Sequence, residues 1–162
     1  MLRGLTNCRP LGTLKMEGIP TLKIEDLQKS KLVELGWRFG QVYTGGYIAG
    51  QMIMSTVANR VRAGWGNWLE VIEKVPFFMA ENELPPIKFP NVWEGNFVKL
   101  LHVVDGVFDG SAMDMSKGAL YWADLQRVER SWFKNLMQAI NEETGERQHP
   151  IVASMNSLTF FK

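Results

Sequence analysis

The stretch that decides the fold is residues 48–61, with the sequence IAGQMIMSTVANRV. Its apolar side chains recur at steps of three and four and cover about two-thirds of the circumference of a helix. A helix that is apolar over so much of its surface must be surrounded by other elements, so we expect this one to be buried. Gly64 and Gly66 follow the pattern and predict the end of the helix.

A second helical pattern precedes this buried helix. It begins at Thr21 or Glu25 and continues to Phe39, with leucines at helical spacing between them. Gly36 and Gly40 lie inside the pattern, and glycine lowers the intrinsic helix propensity of a segment. The sequence therefore predicts a helix that depends on packing against its neighbours.

Two more helices are predicted after the buried one. The first begins near Trp68 and ends before Pro76, because the proline ring removes a backbone donor and clashes with the preceding turn. The second carries apolar residues at steps of three and four between Trp93 and Phe108. Gly110 provides its exit, as glycine commonly does at the end of a helix.

The chain after Gly110 has a different pattern. Residues 119–122 predict a short strand, and residues 151–161 predict a second extended run. Between them, residues 132–140 predict a short helix and residues 141–150 a charged insertion of hairpin length. A small β element therefore accompanies the helices.

These patterns divide the chain into two parts. Residues 1–20 carry glycine and proline without a helical pattern and predict an extended arm. Residues 21–162 predict one domain that is mainly α, of the α+β class. A chain of 162 residues that is 46% hydrophobic has enough apolar side chains for one sizeable core.

Composition excludes several classes of function. The 18 basic and 17 acidic residues leave a net charge of +1, so no nucleic-acid partner is expected. One cysteine and two histidines form no zinc-ligand pattern, and we expect no metal and no cofactor. No run of about 20 apolar residues predicts a membrane span. The first 20 residues lack the apolar core of a signal peptide.

Several short motifs occur in a characteristic order: Gly50-Gln51, Asn59-Arg60-Val61, residues 118–122 (GALYW), Trp132 and Phe160-Phe161. In this order they resemble the cell-wall hydrolase family typified by spore-cortex-lytic enzymes, which cleave the glycan strands of peptidoglycan. The resemblance covers residues 35–162. It implies a lysozyme-like fold and a peptidoglycan hydrolase or lytic transglycosylase of bacteriophage type.

The catalytic acid of that family has no counterpart at the matching position. Glycoside cleavage needs a carboxylic acid that protonates the leaving oxygen. The family's glutamate falls on Val42, its next glutamate falls on Gly46, and its histidine near the end of the domain falls on Leu158. Glu34 is the nearest upstream carboxylate, about 12 Å from Val42 along a helix. It is the candidate acid if the register of the match is shifted.

The groove-building part of the family pattern is better preserved. The predicted substrate-binding residues are Gln41, Gln51, Gly118, Tyr121, Trp122 and Trp132. On an extended run, Tyr121 and Trp122 point to opposite faces, so one ring is expected in the core and the other is available to stack on a sugar. The alternative is that both rings, and Trp132, are core residues. Asn59 and Arg60 are predicted to be scaffold residues.

Two hypotheses of different classes follow. In the first, the chain is a peptidoglycan-degrading enzyme in which Glu34 donates the proton. In the second, it is a catalytically silent virion component, capsid- or tail-associated, whose residues 1–20 bind neighbouring virion proteins. Both place the protein in the virion or in the host cytoplasm before assembly or lysis.

Overall fold

The computed structural model describes residues 23–42, 46–74, 95–124, 135, 138–156 and 158–162. In these residues four helices accompany a small three-stranded antiparallel sheet. The helices are α1 (Ile24–Val42), α2 (Tyr47–Arg62), α3 (Trp68–Lys74) and α4 (Gly95–Asp109), and the strands are β1 (Tyr121–Asp124), β2 (Ile151–Met155) and β3 (Leu158–Phe161). The prediction of several helices with a small β element is confirmed. The arm at residues 1–20 lies outside the described residues.

Helix α2 is the central element. It contacts α1, α3, α4 and β1. Eleven of its 16 residues are buried, which confirms the burial predicted from its broad apolar surface. Three fully buried side chains, Ile53, Met54 and Val57, belong to the main hydrophobic core. Its last turn is closed by Ala63, whose N–H donates to the Asn59 carbonyl at 2.8 Å.

Helices α1 and α2 approach each other through glycines. A Cβ atom added at Gly50 would collide with the carbonyl oxygen of Gly36. A Cβ atom at Gly40 would lie 2.7 Å from the carbonyl oxygen of Gly46, closer than real Cβ contacts. Gly46 itself has φ 56°, a left-handed conformation that glycine adopts at no steric cost. The glycines that lower the helix propensity of α1 are therefore the residues that let the two backbones touch.

The sheet has the strand order β1-β3-β2. Tyr121 pairs with Phe161 across β1 and β3, and Met155 pairs with Leu158 across β2 and β3. The single extended run predicted at residues 151–161 is two strands, because the chain reverses at Asn156. Asn156 has φ 53°, and asparagine tolerates this left-handed conformation better than most residues. Between Ile151 and Ala153 a bulge shifts the register of β2.

Residues 139–148 form a small hairpin ahead of β2. Ile140 and Arg147 form an isolated antiparallel bridge, and the N–H of Gln148 donates to the Ala139 carbonyl at 2.9 Å. The side-chain oxygen of Asn141 accepts from the N–H of Glu143 at 2.9 Å. The predicted charged insertion therefore has hairpin geometry, and Ile140 belongs to this hairpin instead of the short helix predicted over residues 132–140.

Candidate functional site

Arg60, in the last turn of α2, is a buried cation between two aromatic rings. Its side chain is only 2% exposed. The guanidinium carbon lies 5.0 Å from the ring centre of Trp65 and 4.6 Å from that of Trp122. The Nε atom donates to the carbonyl oxygen of Leu120 at 2.6 Å. Arg60 therefore ties the end of α2 to the residue that precedes β1.

The ionisation of Arg60 reflects this burial. Desolvation lowers the pKa of the guanidinium to about 10, because the charged form loses contact with water. At neutral pH the group is still protonated, so its contacts with Trp65 and Trp122 are cation–π interactions. The predicted scaffold role of Arg60 agrees with this geometry.

Asn59 and Asp114 fix the loop that leads into β1. The Asn59 amide donates to the Asp114 carboxylate at 2.9 Å and to the Ala119 carbonyl at 3.1 Å. The Asp114 carboxylate also accepts from the backbone N–H groups of Ser116, at 2.9 Å, and Gly118, at 2.7 Å. The loop before Tyr121 is therefore held by the side chain of Asn59, from α2, and by that of Asp114, from the loop itself.

The ionisation state of Asp114 follows from these contacts. Burial raises the pKa of its carboxyl group, but the hydrogen bonds donated by Ser116, Asn59 and Gly118 outweigh burial and hold that pKa below its usual value. Asp114 is therefore a carboxylate at neutral pH and acts as a hydrogen-bond acceptor.

The first residue of β1 takes part in an aromatic surface. This surface consists of Trp65, Tyr121 and His149. The Tyr121 ring centre is 5.4 Å from that of Trp65 and 5.1 Å from that of His149, both in edge-to-face geometry. The Nδ1 atom of His149 is 2.9 Å from the carbonyl oxygen of Lys162, which only accepts, so Nδ1 is the donor. Trp65 is 38% exposed, and Tyr121 and His149 are half-buried.

The two aromatic residues predicted at the start of the strand are divided as expected. Trp122 is 4% exposed, and its ring meets Phe39 of α1 edge-on, with 5.7 Å between the ring centres. Tyr121 belongs to the aromatic surface. Gly118 lies beside the same region: it has φ 78°, and a Cβ atom there would be 3.1 Å from Lys162 Cε. That Tyr121 and Gly118 bind a substrate stays a prediction.

The other predicted binding residues lie apart from this surface or outside the description. Gln41 is exposed near the end of α1, whereas Gln51 is buried in the first half of α2 at 9% exposure. Trp132 lies outside the described residues. The structure therefore brings together Gly118 and Tyr121, with Trp122 packed beneath the surface.

Glu34, the candidate acid, lies on another side of α1. Five residues separate it from Phe39, which corresponds to about 140° of rotation around a helix. Because Phe39 contacts Trp122, the Glu34 side chain leaves α1 in a different direction from the Trp122 contact. Glu34 is half-buried and lies 3.4 Å from Lys31 Nζ, one turn earlier.

The positions to which the resemblance assigns catalytic residues are occupied by apolar or small residues. Val42 is the last residue of α1, and Gly46 is the N-terminal cap of α2. Leu158, at the family's histidine position, is fully buried in β3. None of these residue types transfers a proton.

Trp65 and His149 were not predicted as members of the site. Trp65 lies between Gly64 and Gly66, which have φ 83° and 149°, and its N–H donates to the Arg60 carbonyl at 3.0 Å. A tryptophan enclosed by two glycines after a helix is a usable signal, because the sharp turn places its ring back against the helix end. His149 reaches Tyr121 only through the pairing of distant strands, which leaves no local signal.

Over the described ranges, no three His, Cys, Asp or Glu side chains lie close enough together to hold a metal ion. No helix described in the structure has the length and apolar character needed to cross a membrane.

Comparison with protein-family models, with curated proteins and with solved structures finds no match. The functional assignment therefore depends on sequence landmarks and geometry.

Proposed function

We propose that this chain is a lysozyme-like, phage-type relative of the cell-wall hydrolases that binds peptidoglycan glycan strands at the aromatic surface. The observation that supports this most directly is the Tyr121 ring held between Trp65 and His149. Aromatic rings offer a flat apolar area with a polar edge, which suits the mixed apolar and hydroxyl surface of a sugar ring. The position of Tyr121 within the GALYW landmark agrees with the family resemblance.

The support beneath the surface favours binding. Tyr121 follows Leu120, whose carbonyl accepts from Arg60, and the loop before it is held by Asp114. A binding residue whose backbone is already ordered loses less conformational entropy when a ligand arrives. The aromatic surface is therefore preorganised for a ligand.

Catalysis is the part of the family function that this chain is least equipped to perform. A general acid must be protonated and within reach of the glycosidic oxygen. Asp114 is a carboxylate that accepts four hydrogen bonds, from Asn59, Ser116 and Gly118. It therefore has no proton to donate. Glu34 leaves α1 away from the Trp122 contact. We therefore propose binding without cleavage.

A second candidate function is that of a virion structural component. Its support is the loss of the family's catalytic pattern, since Leu158 fills the histidine position with a fully buried core side chain. A fold retained without its catalytic residues is suited to contacts with other proteins. The arm at residues 1–20 is the proposed contact with neighbouring virion proteins.

Co-sedimentation with insoluble peptidoglycan tests the binding proposal. Tyr121→Ala should weaken binding about tenfold, which corresponds to about 1.4 kcal/mol and to the loss of one aromatic contact. The matched control is Tyr47→Ala, because Tyr47 is also half-buried and also has a partner at its ring, with Lys99 Nζ 4.4 Å from the ring centre. Equal binding by both variants, or no binding by the wild type, would reject the aromatic surface and favour the virion component.

Mass spectrometry of soluble fragments tests the absence of cleavage. Intact peptidoglycan is incubated with the wild type and with Glu34→Gln, beside a known muramidase as positive control. We expect no muropeptides from either protein. Release by the wild type alone would assign the acid to Glu34, and release by both would place the acid elsewhere and overturn binding without cleavage.

A further inference from the structure

A groove lies between the first half of α2 and the strand β2, and the proposed function does not use it. Its volume is about 500 Å³, within the usual range of ligand pockets. The described residues that line it are Ile48, Met52, Met115, Lys117 and the whole of β2, Ile151–Met155. Apart from Lys117 and Ser154, these lining side chains are apolar.

The strand beside the groove is at the edge of the described sheet. β2 pairs with β3 alone among the described strands, so one side of its backbone has no strand partner there. Edge strands bind extended peptides because their outward N–H and C=O groups continue the hydrogen-bond ladder. Ile151 at the start of β2 is 49% exposed, which leaves apolar surface at one end of the groove.

Lys117 gives the groove its charge. It is the single charged residue among the described lining residues. It has φ 54°, a left-handed conformation that is uncommon outside glycine and asparagine. Its N–H donates to the Asp114 carbonyl at 3.1 Å, and the next N–H, of Gly118, donates to the Asp114 carboxylate at 2.7 Å. The backbone beneath this cation is therefore fixed by Asp114.

We propose that this groove binds an extended aliphatic peptide segment of a partner protein, with a carboxylate of that segment against Lys117. The positive charge at an otherwise apolar groove selects a negatively charged group. The side of β2 that has no partner among the described strands would bind the peptide backbone. Met52 and Met115 have flexible, polarizable side chains that adapt to different aliphatic partners.

This partner site is separate from the aromatic surface. Tyr121 lies on β1, at one edge of the sheet, and the groove follows β2, at the other edge, with β3 between them. The two sites are therefore centred on different strands, and they come closest in sequence where Gly118 follows Lys117 and where His149 precedes β2. Loss of one need not remove the other.

The test uses the full chain, labelled with ¹⁵N, and two pools of synthetic hexapeptides. Both pools alternate Val, Leu or Ile with Thr or Ser; one pool ends in a free carboxylate and the other in an amide. We expect the carboxylate pool to shift the amide signals of residues 151–155 and to bind about five- to tenfold more tightly than the amide pool. Lys117→Gln should abolish this difference, and Lys74→Gln, at an exposed lysine at the end of α3, should preserve it.

Three results would overturn the proposal. In the first, the signals of residues 151–155 remain unchanged with both pools. In the second, Lys74→Gln reduces binding as much as Lys117→Gln does. In the third, peptidoglycan fragments or a second copy of the chain would shift these signals while the peptides do not. Unfolding curves for both lysine variants confirm that each is folded before binding is compared.

Discussion

The two halves of α2 contact their neighbours in opposite ways. At its start, the N-cap Gly46 and the helical Gly50 bring the backbone directly against Gly40 and Gly36 of α1. In the second half, Asn59 and Arg60 extend polar side chains that donate hydrogen bonds to the loop of residues 114–120, ahead of β1. The first contact is between two backbones and requires glycine on both helices. The second contact is made by the polar ends of side chains.

The difference teaches which part of the helix tolerates change. Two backbones in contact cannot move apart locally, so any added atom must displace a whole helix. A contact made by a long side chain can be replaced partly by a shorter group or by water. We therefore expect the glycine contact to be the more sensitive to substitution and the polar contact to be the one that positions the aromatic surface.

The largest effect is expected for Gly50→Ala. The new Cβ atom would overlap the Gly36 carbonyl oxygen, and we expect a loss of about 3 kcal/mol in the free energy of unfolding. Urea denaturation monitored by circular dichroism measures this loss. The matched control is Gly95→Ala, because nothing lies within 4 Å of a Cβ atom there, and alanine in an open helical position changes stability by less than about 1 kcal/mol. Similar losses in both variants would contradict the close contact.

The next effect is expected for Arg60→Lys. Lysine keeps the charge but loses the planar group between Trp65 and Trp122 and the Nε donor to Leu120, so we expect a loss of about 2 kcal/mol. Arg62→Lys is the control: Arg62 is exposed and donates to the Val107 carbonyl at 2.8 Å. Thermal unfolding compares the two. A control that loses as much as Arg60→Lys would show that the buried stack adds nothing.

The sequence predicts the helices of this fold well and their contacts poorly. Periodic apolar residues locate α1, α2 and α4, because burial of one face is a local property of the sequence. From the sequence, Gly36 and Gly40 indicate only a lower helix propensity. Their role in close packing depends on a partner helix that the local pattern does not specify.

The candidate site shows the same division between local and distant information. Alternation along an extended run separates Tyr121 from Trp122 correctly, since it depends only on neighbouring residues. The meeting of Tyr121 with Trp65 and His149 depends on a turn after α2 and on strand pairing. Such long-range pairing is set by the whole fold, and single-sequence patterns do not encode it.

Asp114→Asn tests the polar half of the comparison through pH. At neutral pH we expect a loss of about 1.5 kcal/mol, because the amide offers one acceptor oxygen where the carboxylate offers two. The pKa of Asp114 is lower in the folded than in the unfolded chain, so its contribution is present above about pH 4 and disappears as pH falls through the folded-state pKa. Urea denaturation at pH 7 and pH 2.5 should show the difference between wild type and variant shrinking at the lower pH.

The comparison for that variant is Asp109→Asn. Asp109 is exposed and accepts from the N–H of Ser111 at 2.8 Å. This contact is local, because the two residues are only two positions apart. Hydrogen bonds from Ser111 hold the pKa of Asp109 below its usual value as well, so both variants flatten the pH dependence in the same direction. We expect the smaller change for Asp109, because its carboxylate is exposed and accepts hydrogen bonds from Ser111, two residues later, whereas that of Asp114 accepts from Asn59 of α2. A larger change there would contradict the role of Asp114 in anchoring the loop.

The smallest effect on stability is expected for Trp65→Ala, which separates the support of the aromatic surface from its binding face. Both rings contact Arg60, but Trp65 is 38% exposed whereas Trp122 is 4% exposed. Trp65 is the more exposed of the two rings against Arg60 and leaves Trp122 in contact with the cation, so we expect a loss of about 1 kcal/mol and a variant that remains folded. Its binding to peptidoglycan should fall as that of Tyr121→Ala does, since Trp65 forms one side of the surface. Unchanged binding would restrict the glycan contact to Tyr121 and His149, and a loss of stability above 2 kcal/mol would make Trp65 a core residue like Trp122.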